Sequence, residues 1–255
     1  VTARAVKKTV AAPPALGRDR ILATALALID RDGVATLSLR GLANELDVFP
    51  TAIYWHVPSR DELVAGAVAL ALHGVGRRLA GGTWQQRVRA LLKRFRAALQ
   101  RHPNLAPVIG TQLISNHPFD LPMLEHIVRA LEDAGFDGAG LVDAFNVVIA
   151  AMCGFVTMEL AAAPAEHADA WALSHAQALR EIPAASYPAL TRHLPRLRGK
   201  AFIVRSRSGT NRPLNSAFEA WLDVVIGGLE KRAAAQTFRA NSPAASPRRA
   251  RGSAA

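Results

Sequence analysis

The stretch from Ser38 to Leu63 limits the fold more than any other part of the chain. Leu39, Leu42, Ala43 and Leu46 recur at i, i+3, i+4 and i+7, which places them on one face of a short helix. Ser38 stands where the first free N–H groups need a side-chain oxygen. Asp47-Val48-Phe49 interrupts the pattern. A second short helix is expected over residues 50–57, with Pro50 in its first turn and Ile53 and Val57 turned inward. Ala43 is small where the two helices must cross. Ser59-Arg60-Asp61-Glu62 then reads as a capping box that opens a third helix.

Two helices of this size joined by three residues bury too little to stand alone. Residues 18–31 supply a cover: Ile21, Leu22, Ala25, Leu28 and Ile29 share one face, and Gly33 ends it. The arrangement predicted is a three-helix helix-turn-helix, whose second short helix lies in the major groove of DNA. Spacing alone fits equally a pair of short core helices in an all-α protein. On the first reading, Arg40 reaches a phosphate or a guanine edge, and Thr51 is the short hydroxyl facing the groove. Phe49, Pro50 and Ala52 offer apolar contacts to thymine methyls. Tyr54 and His56 donate to phosphates, and Arg60 does so from the capped helix.

With 255 residues, half of them apolar and a fifth charged, the chain is globular and long enough for a small head on a larger body. Its net charge of +11 points to a polyanionic partner, yet residues 1–60 hold eight Lys/Arg against five Asp/Glu, only +3. The excess lies elsewhere: seven Lys/Arg and no acid in residues 183–213, then six Lys/Arg and no acid after Glu230. Such segments add salt-dependent phosphate attraction or are simply solvated. The single Cys153 lies in an apolar run, which rules out a disulfide within the chain and suits a reducing cytoplasm. Residues 1–17 carry Arg4, Lys7 and Lys8 without an apolar core, so no secretory leader is expected there. The most apolar stretches, 63–72 and 147–158, fall short of the ~20 residues a bilayer span needs, so no membrane partner is expected. No His-Glu-x-x-His, phosphate-cradling glycine loop or Gly-x-Ser-x-Gly occurs, so no metal, cofactor or catalytic role is expected.

Four segments follow: a basic flexible arm over 1–17, a helix-turn-helix domain over 18–63, an all-α body over 64–233 and a disordered basic tail over 234–255. In the body, the capped helix fades near Gly81-Gly82. Thr83 then caps a helix over 84–101, with Val88, Leu91, Leu92, Phe95 and Leu99 inward and Lys93, Arg94, Arg96 and Arg101 on a solvated face. Further helices are expected over 121–134, 139–163 and 214–231, a weak one over 164–181, and a loop over 183–213. Helices 139–163 and 214–231 have more apolar surface than one core needs. Paired with their copies, they make a four-helix homodimer interface.

Leu42-Ala43-x-x-Leu46-x-Val48, followed by Tyr54-Trp55-His56-Val57 and a charged capped helix, resembles the tetracycline repressor family of bacterial transcription regulators, in the form of the tetracycline-repressor branch itself. The body pattern Trp84-Gln85 … Phe95-Arg96-x-Ala98-Leu99 … His102, with Gly110-Thr111, is similar to that family's ligand-binding body. The resemblance implies that Arg40, Thr51, Ala52, Tyr54, Trp55, His56 and Arg60 face an operator. It implies the same dimer and an effector pocket lined by Leu91, Phe95, Thr111, Ile127, Met152 and Phe155. Departures narrow the chemistry. Asp47 replaces the family's turn glycine, and Phe49-Pro50-Thr51 shifts the proline by one place. Leu91 stands where a drug-binding asparagine is expected, and Val108 and Ile109 flank Gly110 where the family has a metal-holding histidine. An apolar or aromatic effector is therefore expected instead of a metal chelate.

The function expected is a ligand-released, dimeric, cytoplasmic transcriptional repressor on palindromic double-stranded DNA, its two heads about 34–36 Å apart. Effector binding would shift the helix that starts at Arg60. Two other readings stay open: a nonspecific basic nucleic-acid-binding protein, and a small-molecule carrier with a degenerate DNA-binding head.

Overall fold

Among the described residues the chain is built of helices, and no strand occurs. The computed structural model describes residues 16–77, 79, 81–112, 120–161, 167–205 and 213–241, apart from the side chains of 110–112 and 239–241. Two units separate, Val1–Leu70 and Ala71–Ala255. Of the expected arm, residues 1–15 lie outside the described residues, as do 242–255 of the expected tail.

The first unit holds α1 (Arg18–Asp32), α2 (Leu39–Leu46), α3 (Pro50–Tyr54) and α4 (Arg60–Ala71), with a 3-10 turn at Val34–Thr36. Ile21, Leu22, Ala25, Leu26 and Ile29 form the buried side of α1, which stops at Gly33 (φ 85°). Ser38 caps α2 as expected, its Oγ accepting from the Gly41 N–H at 3.0 Å. Leu42, Ala43, Ile53 and Val57 are all fully buried, so the two short helices close on one another through the residues the spacing selected. Gly66 of α4 lets Leu22 pack closely: a Cβ there would lie 2.4 Å from Leu22 Cδ2 and the leucine would have to shift. The second short helix ends at Tyr54, not Val57. Val57 precedes Pro58, which disfavours helical backbone, and both His56 and Val57 N–H groups fold back onto the Ile53 carbonyl at 2.9 Å.

Asp47 ends α2 in the left-handed region, at φ 55° and ψ 49°. An L side chain pays about 1–2 kcal/mol there, partly recovered because glycine loses more backbone entropy on folding. Asp47→Gly is therefore expected to stabilise the head by roughly 0.5–1 kcal/mol. A thermal melt checks this, and a lower midpoint would show that Asp47 makes a compensating bond.

The second unit contains α5 (Trp84–Arg101), α6 (Ala106–Gln112), α7 (Leu121–Asp133), α8 (Gly138–Glu159), α9 (Ala168–Arg180), α10 (Pro188–Leu197) and α11 (Asn215–Asn241). Thr83 and Gln86 form a complete capping box at the start of α5. Helices α5, α7 and α8 pack pairwise, α11 lies on α5 and α8, and α6 lies on α8. Leu91, Leu92, Phe95, Leu99, Ile127, Met152, Leu222 and Leu229 form the core among them.

Five expectations change. The loop expected over 183–213 contains α10, which starts on Pro188 and runs through Pro195. Helix α11 continues to Asn241, so residues 234–241 are helix and not tail. Ala233 is buried, and the Gln236 amide reaches the Asp137 carbonyl at 3.1 Å. The third body helix ends at Glu159 and not at 163. A 3-10 turn at Pro103–Leu105 and α6 fill a stretch where no helix was expected. Helix α8 has 22 residues and an 18-residue window of mean hydropathy 1.9, long and apolar enough by composition to cross a bilayer, which corrects the shorter estimate from the sequence. A third of that window is buried, and Glu159 at its end is bound to Arg96.

Candidate functional site

The turn Asp47–Phe49 and the break after Tyr54 push a cluster of side chains off the surface of the head. Phe49 is 83% exposed, Trp55 88% and Tyr54 51%. Arg40, Thr51 and His56 are exposed beside them in sequence, while Pro50 and Ala52 are half-buried. Helix α3 thus has one buried residue, Ile53, and presents Thr51 and Tyr54 outward. An isolated exposed hydrophobe is ordinary, but three exposed aromatics within seven residues make this part of the head the candidate contact surface. Arg60, expected to face DNA, is half-buried and also serves the fold. Its Nε donates to the Leu37 carbonyl at 2.9 Å and its Nη2 to the Val34 carbonyl at 2.6 Å. Those bonds tie the start of α4 to the turn before α2, so Arg60 braces the head.

The expected pocket residues fall in the body core. Leu91 and Phe95 lie on α5, Ile127 on α7, and Met152 and Phe155 on α8, each no more than 5% exposed. These three helices pack on one another. Thr111 belongs to α6, and its side chain lies outside the described residues. Phe155 faces a second aromatic group: its ring is edge-on to Phe202 at 5.1 Å and Phe218 at 5.2 Å, with Trp221 at 6.5 Å. Cys153 has its thiol pushed up to about 11 by burial, so it stays protonated at neutral pH. Among the described residues no three of His, Cys, Asp or Glu gather as metal ligands.

A polar cluster at the end of α8 escaped the sequence reading. Arg96, expected on a solvated face, is 8% exposed, and Glu159 is completely buried. Arg96 Nε donates to Glu159 Oε2 at 2.7 Å and its Nη2 to Oε1 at 2.6 Å. The same Nη2 donates to Asn215 Oδ1 at 2.9 Å, and the Leu214 N–H donates to Glu159 Oε1 at 2.8 Å. The Arg96 guanidinium also lies 4.5 Å over the Phe218 ring. Arg205 packs beside this pair, its Nη2 donating to the carbonyls of Met158 (2.9 Å) and Glu159. Burial pulls the Arg205 pKa down, and the Glu159 carboxylate opposes that shift. The signal was present: Leu92, Arg96 and Leu99 lie at i, i+4 and i+7, and Glu159 continues the stripe of Met152 and Phe155.

His126 of α7 is half-buried, and its Nε2 has no hydrogen-bond partner. Burial lowers its pKa, and the positive charges of Arg87 and Arg94 lower it further. A histidine with a depressed folded pKa stays neutral while the unfolded chain takes up a proton. Stability is therefore expected to fall as pH drops below the unfolded value of about 6.5, and to level off below the folded pKa. Denaturant midpoints measured from pH 8 to 5 check this. His126→Gln should flatten that part of the profile, and an unchanged profile would place the proton elsewhere.

A family model described as "Bacterial regulatory proteins, tetR family" matches residues 21–67, and one described as "Tetracyclin repressor-like, C-terminal domain" matches residues 78–233. An HTH-type transcriptional regulator of Saccharopolyspora erythraea is 33% identical over 153 residues, covering 57% of this chain and 62% of that protein. The tetracycline repressor protein class E of Escherichia coli is 33% identical over 125 residues, covering 48% of this chain and 58% of that protein. The matches therefore span less than two thirds of either relative's length. The Streptomyces coelicolor TetR family protein ActR, solved in complex with actinorhodin, has the same fold: TM-score 0.63 at 24% identity, over 85% of this chain and 96% of that one.

Proposed function

The chain belongs to the tetR family of bacterial regulatory proteins, and from that premise we propose that it is a dimeric, cytoplasmic transcriptional repressor, released from a palindromic operator by an apolar or aromatic effector. The observation that carries this reading is the outward-facing set Phe49, Thr51, Tyr54, Trp55 and His56 on and around a short helix anchored by the buried Ile53. Thr51 and Arg40 read base edges or phosphates, Tyr54 and His56 hold the backbone, and Phe49 and Pro50 lie against thymine methyls. Arg60 braces the head through Nε and Nη2, and the rest of its guanidinium adds to phosphate attraction.

The body supports the effector half of the reading through the aromatic and aliphatic side chains of α5, α7 and α8. ActR, which shares the fold, holds the small molecule actinorhodin. Dimerisation rests on faces that one protomer leaves uncovered. Val142, Val147 and Met158 are exposed along α8, as are Val224 and Phe238 along α11. Pairing these helices with their copies covers the stripe and sets two heads at half-site spacing.

The test is binding to duplex DNA flanking the protein's own gene, against random duplex at the same salt. Selective binding is expected, with Thr51→Ala and Tyr54→Ala each weakening it by about 1–3 kcal/mol, roughly 5–150-fold. Equal affinity for both duplexes would replace this reading with nonspecific binding through the acid-free basic region 183–213. No binding at low salt would replace it with a carrier.

A further inference from the structure

The Glu159 carboxylate is paired with Arg96, while Arg205 donates, among the described residues, only to main-chain carbonyls and feels the Glu159 charge without a hydrogen bond to it. The two carboxylate oxygens accept three hydrogen bonds, two from Arg96 and one from the Leu214 N–H. Arg205 is nevertheless 7% exposed, and its Nη1 is buried without a hydrogen-bond partner. Capping the end of α8 explains only Nη2, which meets the Met158 and Glu159 carbonyls. A full guanidinium charge held this way, with an unused donor, is costly unless an anion joins it.

The neighbourhood says what the anion is attached to. The Arg205 guanidinium lies 5.9 Å from the Phe202 ring centre, and Phe202 is edge-on to Phe155. Phe218 is already covered by Arg96. Phe155 is buried, whereas Phe202 and Trp221 are half-buried, so the aromatic group is accessible on one side. Arginine is suited to carboxylates because its planar fork offers parallel donors, and flat rings pack edge-on or offset against aromatic side chains.

We propose that this end of α8 binds an aromatic carboxylate, its anion on Arg205 Nη1 and its ring against Phe155, Phe202 and Trp221. The inference names the chemistry of the effector and rests on the repressor reading only for the consequence on DNA. It sets a charged anchor beside the aromatic side chains of Phe155, Phe202 and Trp221.

The full chain would be titrated with benzoate, 1-naphthoate and 2-anthracenecarboxylate, each beside its neutral primary alcohol, by calorimetry and tryptophan fluorescence. At least one acid is expected to bind about tenfold or more tightly than its alcohol. Arg205→Met should erase that preference, Arg205→Lys should keep part of it, and Phe202→Ala should weaken acid and alcohol alike. The acid-to-alcohol ratio on the unaltered chain needs no variant to fold. Equal binding of acid and alcohol, absence of saturable binding by every acid, or a preference that survives Arg205→Met would each overturn the site. Operator release is read separately. Selective acid binding without release removes the effector role and leaves the site, whereas loss of selectivity removes the site and leaves operator recognition untouched.

Discussion

Glu159→Ala is expected to destabilise the body by about 3–5 kcal/mol, the usual cost of removing one partner from a buried ion pair. For a chain of this length that corresponds to a melting midpoint lower by roughly 6–20 °C. The carboxylate is completely buried and accepts from Arg96 Nε, Arg96 Nη2 and the Leu214 N–H. Without it, two guanidinium groups, Arg96 at 8% and Arg205 at 7% exposure, share one buried end of α8 with no anion. The first turn of α11 is also released, because Leu214 and Asn215 are held through this same pair. Removing both charges together, as Arg96→Met with Glu159→Met, should cost less than the single change, since no charge of the pair is left stranded. Circular-dichroism melts of the three proteins decide it. A shift under about 2 °C for Glu159→Ala would mean that water reaches Arg96 and the network is not sealed.

The network also marks where the sequence was readable and where it was not. Local signals held wherever one element decides the outcome. Ser38 and Thr83 cap helices, Gly33 ends one, and Leu42, Ala43, Ile53 and Val57 are buried where the spacing put them. Asp47 took the left-handed turn conformation that its place in the motif demands. What failed depended on partners distant in sequence. Arg60 has a bracing role that nothing local announced, because the carbonyls it reaches belong to Leu37 and Val34. Arg96 looked like a solvated charge because its partner, Glu159, is 63 residues away. Helix α10 was hidden because Pro188 and Pro195 read as breakers, although Leu190, Leu194 and Leu197 recur at i, i+4 and i+7. The expected pocket residues were legible as core residues. Nothing local pointed to Arg205 as a buried cation beside Phe202.

Val147→Glu combined with Val224→Glu is expected to yield a monomer that has lost operator affinity by about 10²–10⁴-fold, although neither residue touches DNA. The two valines lie on exposed faces of α8 and α11, helices that pack on each other within one protomer. In the proposed dimer these faces meet their copies, so two carboxylates per protomer would have to enter a dry four-helix seam without partners. The cost falls on assembly and spares the fold, because both positions face solvent in the isolated protomer. DNA binding suffers indirectly. Once one head of a dimer is bound, the second meets its half-site at an effective concentration in the millimolar range, and a monomer forfeits that gain. The recognition set on the head remains intact, so residual half-site binding should still respond to Thr51→Ala. Sedimentation velocity reports the assembly, and operator titration reports the affinity. A double variant that still sediments as a dimer would move the interface off α8 and α11. The next surfaces to test would be α9 and α10, which bury no residue of their own and expose Leu173 and Tyr187.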